Sequence, residues 1–217
     1  MAAVKICGVK DLVAMDAVAE AGAEYVGFVF FPPSPRAILP AAADALARRH
    51  PRGPLPVGLF VDPSDDEVAA VLDAVPLAAL QIYASRARAA EIQARFRRPV
   101  WHVVGVSGAA DLPHDTQGVE RVLLDHKAPP GAPVPGGNAS TFDWSVLHGW
   151  AAPAPWVLAG GLTPGNVANA IRETGAPTVD VSSGVERARG EKDPALIHAF
   201  VNAARAGLHA TGTTFAR

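Results

Sequence analysis

The chain has 217 residues, 49% hydrophobic and 18% charged, with a formal net charge of −2. That length suits one α/β-barrel domain over residues 1–217, near the lower end of a barrel range of roughly 200 to 400 residues, and the small net charge offers no broad field for nucleic acid or an anionic membrane. The single cysteine, Cys7, excludes an internal disulfide; with no apolar run near the roughly 18 residues of a membrane span and no signal-peptide core in MAAVKICG, the expectation is a soluble cytoplasmic protein, monomer or homodimer.

Short β-branched and aromatic runs alternate with alanine-rich amphipathic stretches. The first strand is expected at Val4–Cys7, followed by a helix from Asp11 to Ala21 that Gly22 stops. Tyr25–Phe30 is too short for a helix and reads as a strand; Pro40 suits the first turn of a helix to Arg49. Val57–Val61 is the third strand. Ser64 caps the helix that runs to Ala74, with Glu67 completing a capping box. Ala79–Tyr83 and Val100–Val106 are the next strands, around a helix at Ala87–Phe96.

The stretch from Ser107 to Gly118 has room only for a short helix. Val122–Asp125 is the sixth strand, followed by a Pro/Gly-rich loop from Ala128 to Asn138 and a short helix at Asp143–Gly149. Trp156–Ala159 is the seventh strand, with a helix at Pro164–Thr174 capped by Thr163. Val179–Ser182 is the eighth, and the last helix runs from Pro194 to Ala206 behind Asp193 as N-cap. Continuous apolar strands alternating with helices indicate parallel βαβ units. Eight units favour a closed (β/α)8 barrel; an open doubly wound sheet is the alternative.

In such a barrel the chemistry sits at the C-terminal ends of the strands. The segment LAGGLTPGNV places Gly160 and Gly161 between a strand and a helix, where backbone N–H groups and the helix N-terminus favour an anion. Ser182, Ser183 and Gly184 stand beside it, and Gly136, Gly137 and Asn138 offer a third contribution to a phosphate site. Each glycine alone can equally be a tight turn. Cys7 is either an inert buried thiol or a general base at the barrel mouth. Asp125 either caps the following loop or acts as a general acid, if burial raises its pKa. Arg36 is either a solvated loop cation or a bidentate partner for a substrate carboxylate. Lys5, Gln81 and Tyr83 join Arg36 as substrate-binding candidates. The seven histidines show no HExxH spacing and no metal set, and alternation turns His126 away from Asp125.

KICG at Lys5–Gly8, GFVFFPPSPR at Gly27–Arg36, VGLFV at Val57–Val61, LLD at Leu123–Asp125, GGNASTFDW at Gly136–Trp144, LAGGLTPGNV at Leu158–Val167 and DVSSGVE at Asp180–Glu186 together resemble phosphoribosylanthranilate isomerase. The strings follow family order over nearly the whole chain. The resemblance implies an Amadori rearrangement of N-(5-phosphoribosyl)anthranilate in tryptophan biosynthesis, without metal or cofactor. It implies Cys7 as general base, Asp125 as general acid and Arg36 as the residue holding the anthranilate carboxylate. Two departures stand out. The family motif QLHG is replaced by Gln81-Ile82-Tyr83-Ala84, and GGNAST has Ala139 and Ser140 where the family's GGxGxT often has a third glycine and a basic residue. Two other readings stay open: a related barrel acting on another phosphoribosyl or aminodeoxy-ketose phosphate, which Tyr83 would favour, and a catalytically silent phosphate-binding barrel, which needs neither Cys7 nor Asp125.

Overall fold

The computed structural model describes residues 1–115, 118–127 and 141–207. Eight parallel strands close into a barrel in sequence order: β1 (Ala3–Cys7), β2 (Tyr25–Val29), β3 (Leu55–Val61), β4 (Ala79–Tyr83), β5 (Val100–Val106), β6 (Arg121–His126), β7 (Trp156–Leu158) and β8 (Thr178–Val181). Closure is made where β8 pairs with β1, Val4 opposite Val179 and Lys5 opposite Asp180. Among the described residues six α-helices surround it: α1 (Leu12–Ala21), α2 (Pro40–Arg49), α3 (Asp65–Ala74), α4 (Arg86–Phe96), α5 (Val167–Thr174) and α6 (Pro194–Ala206). A two-stranded antiparallel ribbon, β9 (Glu186–Ala188) with β10 (Glu191–Lys192), follows β8.

Local chemistry explains most of the helix ends. Asp11 accepts from Ala14 N–H to start α1, and Gly22 ends it in the left-handed conformation at φ 75°. Ser64 and Glu67 form the expected reciprocal capping box on α3. Asp193 caps α6, whose first residue is Pro194.

Strand alternation divides the apolar residues between two clusters. Val4, Ile6, Val26, Phe28, Phe60, Leu80, Ile82 and Leu124 pack outward against the helices. Val57, Ala79, Trp101, Val103, Leu123, Val157 and Ala159 fill the interior. Near the N-terminal ends of their strands, Tyr25 and Trp101 meet edge to face at 4.9 Å. A fully buried side chain such as Ile82 contributes about 1.5–3 kcal/mol. This packing holds the strand ends still.

Three sequence expectations change. The helix expected from Pro164 begins at Val167, with Asn166 at its N-cap. Pro164 and Gly165 instead make a turn closed by Asn166 and Val167 N–H on the Thr163 carbonyl, and Thr163 donates its N–H to Asn166 Oδ1 instead of capping. The helix expected at Asp143–Gly149 is one 3-10 turn, Trp144–Leu147. After β5 stands another 3-10 turn, Ala109–Asp111, and among the described residues no α-helix follows β5 or β6.

Candidate active site

A cleft of about 770 Å³, counting the part open to solvent, lies at the C-terminal ends of the strands. Cys7, Arg36, Gln81, Tyr83, Asp125, Gly160, Gly161, Ser182 and Ser183 all line it. The sequence candidates from β1, β4, β6 and the loops after β2, β7 and β8 therefore meet in one space. Lys5 and Gly184 do not line it. Gly136, Gly137 and Asn138 lie outside the described residues, as does the Ala128–Asn138 loop.

Cys7 ends β1 with its thiol buried. Its neighbour across the register is Gly27. A Cβ there would stand 2.8 Å from Sγ of Cys7 and 3.1 Å from Nζ of Lys5, so glycine leaves the room these two groups occupy. Lys5 is fully buried; its ammonium donates to Gln81 Oε1 at 2.7 Å and Asp180 Oδ1 at 2.9 Å. Burial disfavours that charge, but Asp180 and Cys7 outweigh it and hold the pKa of Lys5 above its ordinary value. Burial pushes the Cys7 thiol up, while Lys5 and Lys192 pull against it. Lys5 thus acts beneath the thiol, away from the cleft wall where a substrate contact was expected.

Asp125 ends the apolar run of β6 and faces the same cleft from the far side of the barrel, with β7 and β8 between it and β1. Its Oδ2 accepts from Tyr83 Oη at 3.0 Å and its Oδ1 from the His126 backbone N–H at 2.8 Å. His126 also lines the cleft, and what it brings to Asp125 is this N–H. Burial pushes the Asp125 carboxyl up to about 6; Tyr83, the His126 N–H and Lys5 hold it down, while Asp180 adds to the rise. Gly160, at φ 85°, passes so close that a Cβ would meet His126 N at 2.7 Å and Asp125 Oδ1 at 3.0 Å. Only glycine combines that backbone with that approach.

Arg36 is buried, and its Nε and Nη2 donate to the two carboxylate oxygens of Glu186 at 2.7 and 2.9 Å. Lys192 Nζ donates to the same carboxylate at 2.6 Å, and the Gly190 N–H donates to it at 3.1 Å. Burial raises the pKa of Glu186, but Arg36 and Lys192 overcome this and bring it to about 2. Two cations around one anion leave a net charge of +1. The pair with Glu186 uses Nε and Nη2, so Nη1 of Arg36 stays outside it.

The loops after β7 and β8 lie against each other, since a Cβ on Gly184 would fall 1.9 Å from the Leu162 carbonyl oxygen. Gly184 is thus a packing glycine. Gly160 and Gly161 both adopt positive φ, 85° and 60°. Asn166 secures that bend by donating to the Gly161 carbonyl at 3.0 Å. Ser182 Oγ donates to the Cys7 carbonyl at 3.1 Å and accepts from Lys192. The backbone of this loop pair is a small polar cradle at the start of α5.

The model of the family described as N-(5'-phosphoribosyl)anthranilate (PRA) isomerase matches residues 4–203. The chain belongs to the phosphoribosylanthranilate isomerase family. The N-(5'-phosphoribosyl)anthranilate isomerase of Granulibacter bethesdensis is 51% identical over 206 residues, which are 94% of this chain and 99% of that protein. The enzyme of the same name from Acidiphilium cryptum is 53% identical over 208 residues, 95% of this chain and 100% of that one. Among solved structures, phosphoribosyl anthranilate isomerase from Thermotoga maritima superposes with a TM-score of 0.83 at 35% identity, covering 95% of this chain and 100% of that one. A phosphoribosyl anthranilate isomerase in complex with reduced 1-(o-carboxyphenylamino)-1-deoxyribulose 5-phosphate gives a TM-score of 0.80 at 33% identity over the same shares.

Four residues that shape this site carry no role legible from the sequence motifs: Asp180, Glu186, Lys192 and Asn166. Asp180 had a legible signal, a carboxylate inside the buried apolar strand TVDV, because such a group needs a partner. Glu186 and Lys192 had none, since a ribbon of three and two residues is too short for periodicity to mark.

Proposed function

We propose that the chain converts N-(5-phosphoribosyl)anthranilate into 1-(2-carboxyphenylamino)-1-deoxyribulose 5-phosphate by general acid–base catalysis. The observation that carries this is the buried carboxyl of Asp125, titrating near 6 across one cleft from the Cys7 thiol. Asp125 protonates the ribose ring oxygen, the C1–O bond breaks, and the anthranilate nitrogen supplies the electrons for a protonated imine. Thiolate at Cys7 then removes the proton from C2. The C–H electrons move into the imine, giving an enolamine that tautomerises to the ketone. The iminium is itself the electron sink, so the reaction is redox-neutral and calls for no cofactor. Each acid or base contribution of this kind is worth about 100- to 10,000-fold.

The other residues fit the substrate's two anions. Arg36, in a cluster of net charge +1, suits the anthranilate carboxylate through Nη1. The Gly160–Gly161 bend and the Ser182–Ser183 turn suit the phosphate; Gly136, Gly137 and Asn138 are proposed to complete that site. Lys5 offsets the charge that forms on Cys7. A catalytic thiol that must remain free suits a reducing compartment such as the cytoplasm.

The test is turnover of freshly generated phosphoribosylanthranilate, followed by loss of its fluorescence, beside a panel of related aminosugar phosphates. Conversion of phosphoribosylanthranilate with higher kcat/KM than any other panel member supports the proposal. Conversion of another member alone, or of none by a well-folded protein, refutes it.

A further inference from the structure

We propose that Tyr83 is a positioning residue for the acid, holding the Asp125 carboxyl through a hydrogen bond from its hydroxyl, and is not a substrate contact. This rests on the reading of Asp125 as the proton donor. The geometry is a 3.0 Å bond from Oη of Tyr83, half-buried at the end of β4, to Oδ2 of the buried Asp125 on β6. The other carboxylate oxygen is tied to the His126 N–H, so the carboxyl plane is fixed at both ends. Gly160 closes the remaining side. A donor held on one oxygen decides which oxygen is engaged and which way the carboxyl faces, and orientation of that kind changes rate steeply.

The other charged groups acting on Asp125 are Asp180 from β8 and Lys5 from β1. These two are already paired at 2.9 Å, so they largely cancel in the field at Asp125. Tyr83 is then the main adjustable partner. Its own ionisation is pushed well above the ordinary value, first by burial and then by Asp125. It therefore remains a neutral donor throughout the working range and never exchanges roles with the acid.

The experiment compares wild type with Tyr83→Phe, which removes only the hydroxyl. Asp125 is titrated by carboxyl-carbon NMR, which needs no turnover, and kcat and KM are measured separately. The expected result is an upward shift of the Asp125 titration by about one unit, with kcat about tenfold lower and KM within about twofold of wild type. An unmoved titration, or a raised KM with kcat intact, overturns the proposal. The chain has only two tyrosines, so fluorotyrosine incorporation in a Tyr25→Phe background labels Tyr83 alone. Its more acidic phenol must shift the Asp125 titration downward; no shift, or an upward one, also overturns the proposal. Wild type failing to turn over the substrate would refute the function and leave these titrations readable.

Discussion

Glu186 grips Arg36 from 150 residues further along the chain, one carboxylate oxygen on Nε at 2.7 Å and the other on Nη2 at 2.9 Å. The short ribbon that carries Glu186 also carries Lys192, which binds the same carboxylate and the Ser182 carbonyl. Ser182 in turn donates to the Cys7 carbonyl. One buried network thus joins Arg36, the loop after β8 and the strand that carries Cys7.

Glu186→Gln leaves Arg36 and Lys192 as two buried cations around a neutral amide. Removing one member of such a group costs about 3–5 kcal/mol. The folded pKa of about 2 lies below the unfolded 4.5, so the stability Glu186 supplies is present above pH 4.5 and disappears as pH falls towards 2. Urea unfolding at a series of pH values should show the variant much weaker at pH 7 and the two proteins converging near pH 2. KM should rise, because Arg36 loses its fixed orientation. Equal stability at pH 7 would contradict the network.

Asp125→Asn should trade activity for stability. The folded carboxyl titrates near 6 against 3.8 for a free one, so the folded state binds this proton more tightly. Its contribution is full below about pH 4 and is lost as pH rises through 6, which leaves ionised Asp125 a standing cost of about 3 kcal/mol at pH 8. Thermal melts should show the variant more stable than wild type at pH 8 and equal to it at pH 4. Lower stability at pH 8 would mean that the carboxylate is welcome in its pocket.

Gly160→Ala and Gly175→Ala form a matched pair. Both positions have positive φ, 85° and 67°, so each substitution carries about 1–2 kcal/mol of backbone strain. At Gly175 nothing lies within 4 Å of the new methyl, whereas at Gly160 it meets His126 N and Asp125 Oδ1. Both variants should melt earlier. Only Gly160→Ala should lose kcat, by more than tenfold, because it displaces the carboxyl. Similar kcat in the two would separate Gly160 from the acid.

Alkylation of the single thiol should be slow at neutral pH. Burial raises the Cys7 pKa, despite Lys5 and Lys192, and the thiolate is the reactive form. Iodoacetamide should inactivate the protein more slowly than it consumes free cysteine at pH 7.5. The rate should climb with pH through 9, and substrate should protect. Fast alkylation at pH 7 would place the thiol pKa below its ordinary value.

Much of this was legible in the chain. All eight strands, the Ser64–Glu67 capping box, Asp193 and Gly22 follow from local chemistry that needs no tertiary partner. Cys7, Arg36 and Asp125, candidates from their places at or after strand ends and from the motifs of the family resemblance, line one cleft. What was not legible came from contacts distant in sequence. Thr163 looked like a cap until the Pro164–Gly165 turn moved the helix start to Val167. Lys5 is a substrate-binding candidate in the sequence, which gives no sign that closure of β8 onto β1 puts Asp180 beside it. Gly27 gave no sign that its missing side chain makes room for a thiol and an ammonium.

The most direct test of the acid–base pair is fluorescence decay of phosphoribosylanthranilate with wild type, Cys7→Ala and Asp125→Asn at equal concentration. The structure predicts rapid decay with wild type and a fall of at least about 100-fold in kcat for each variant, both remaining folded. Near-wild-type turnover by either one would contradict the assignment of that residue and, with it, the mechanism.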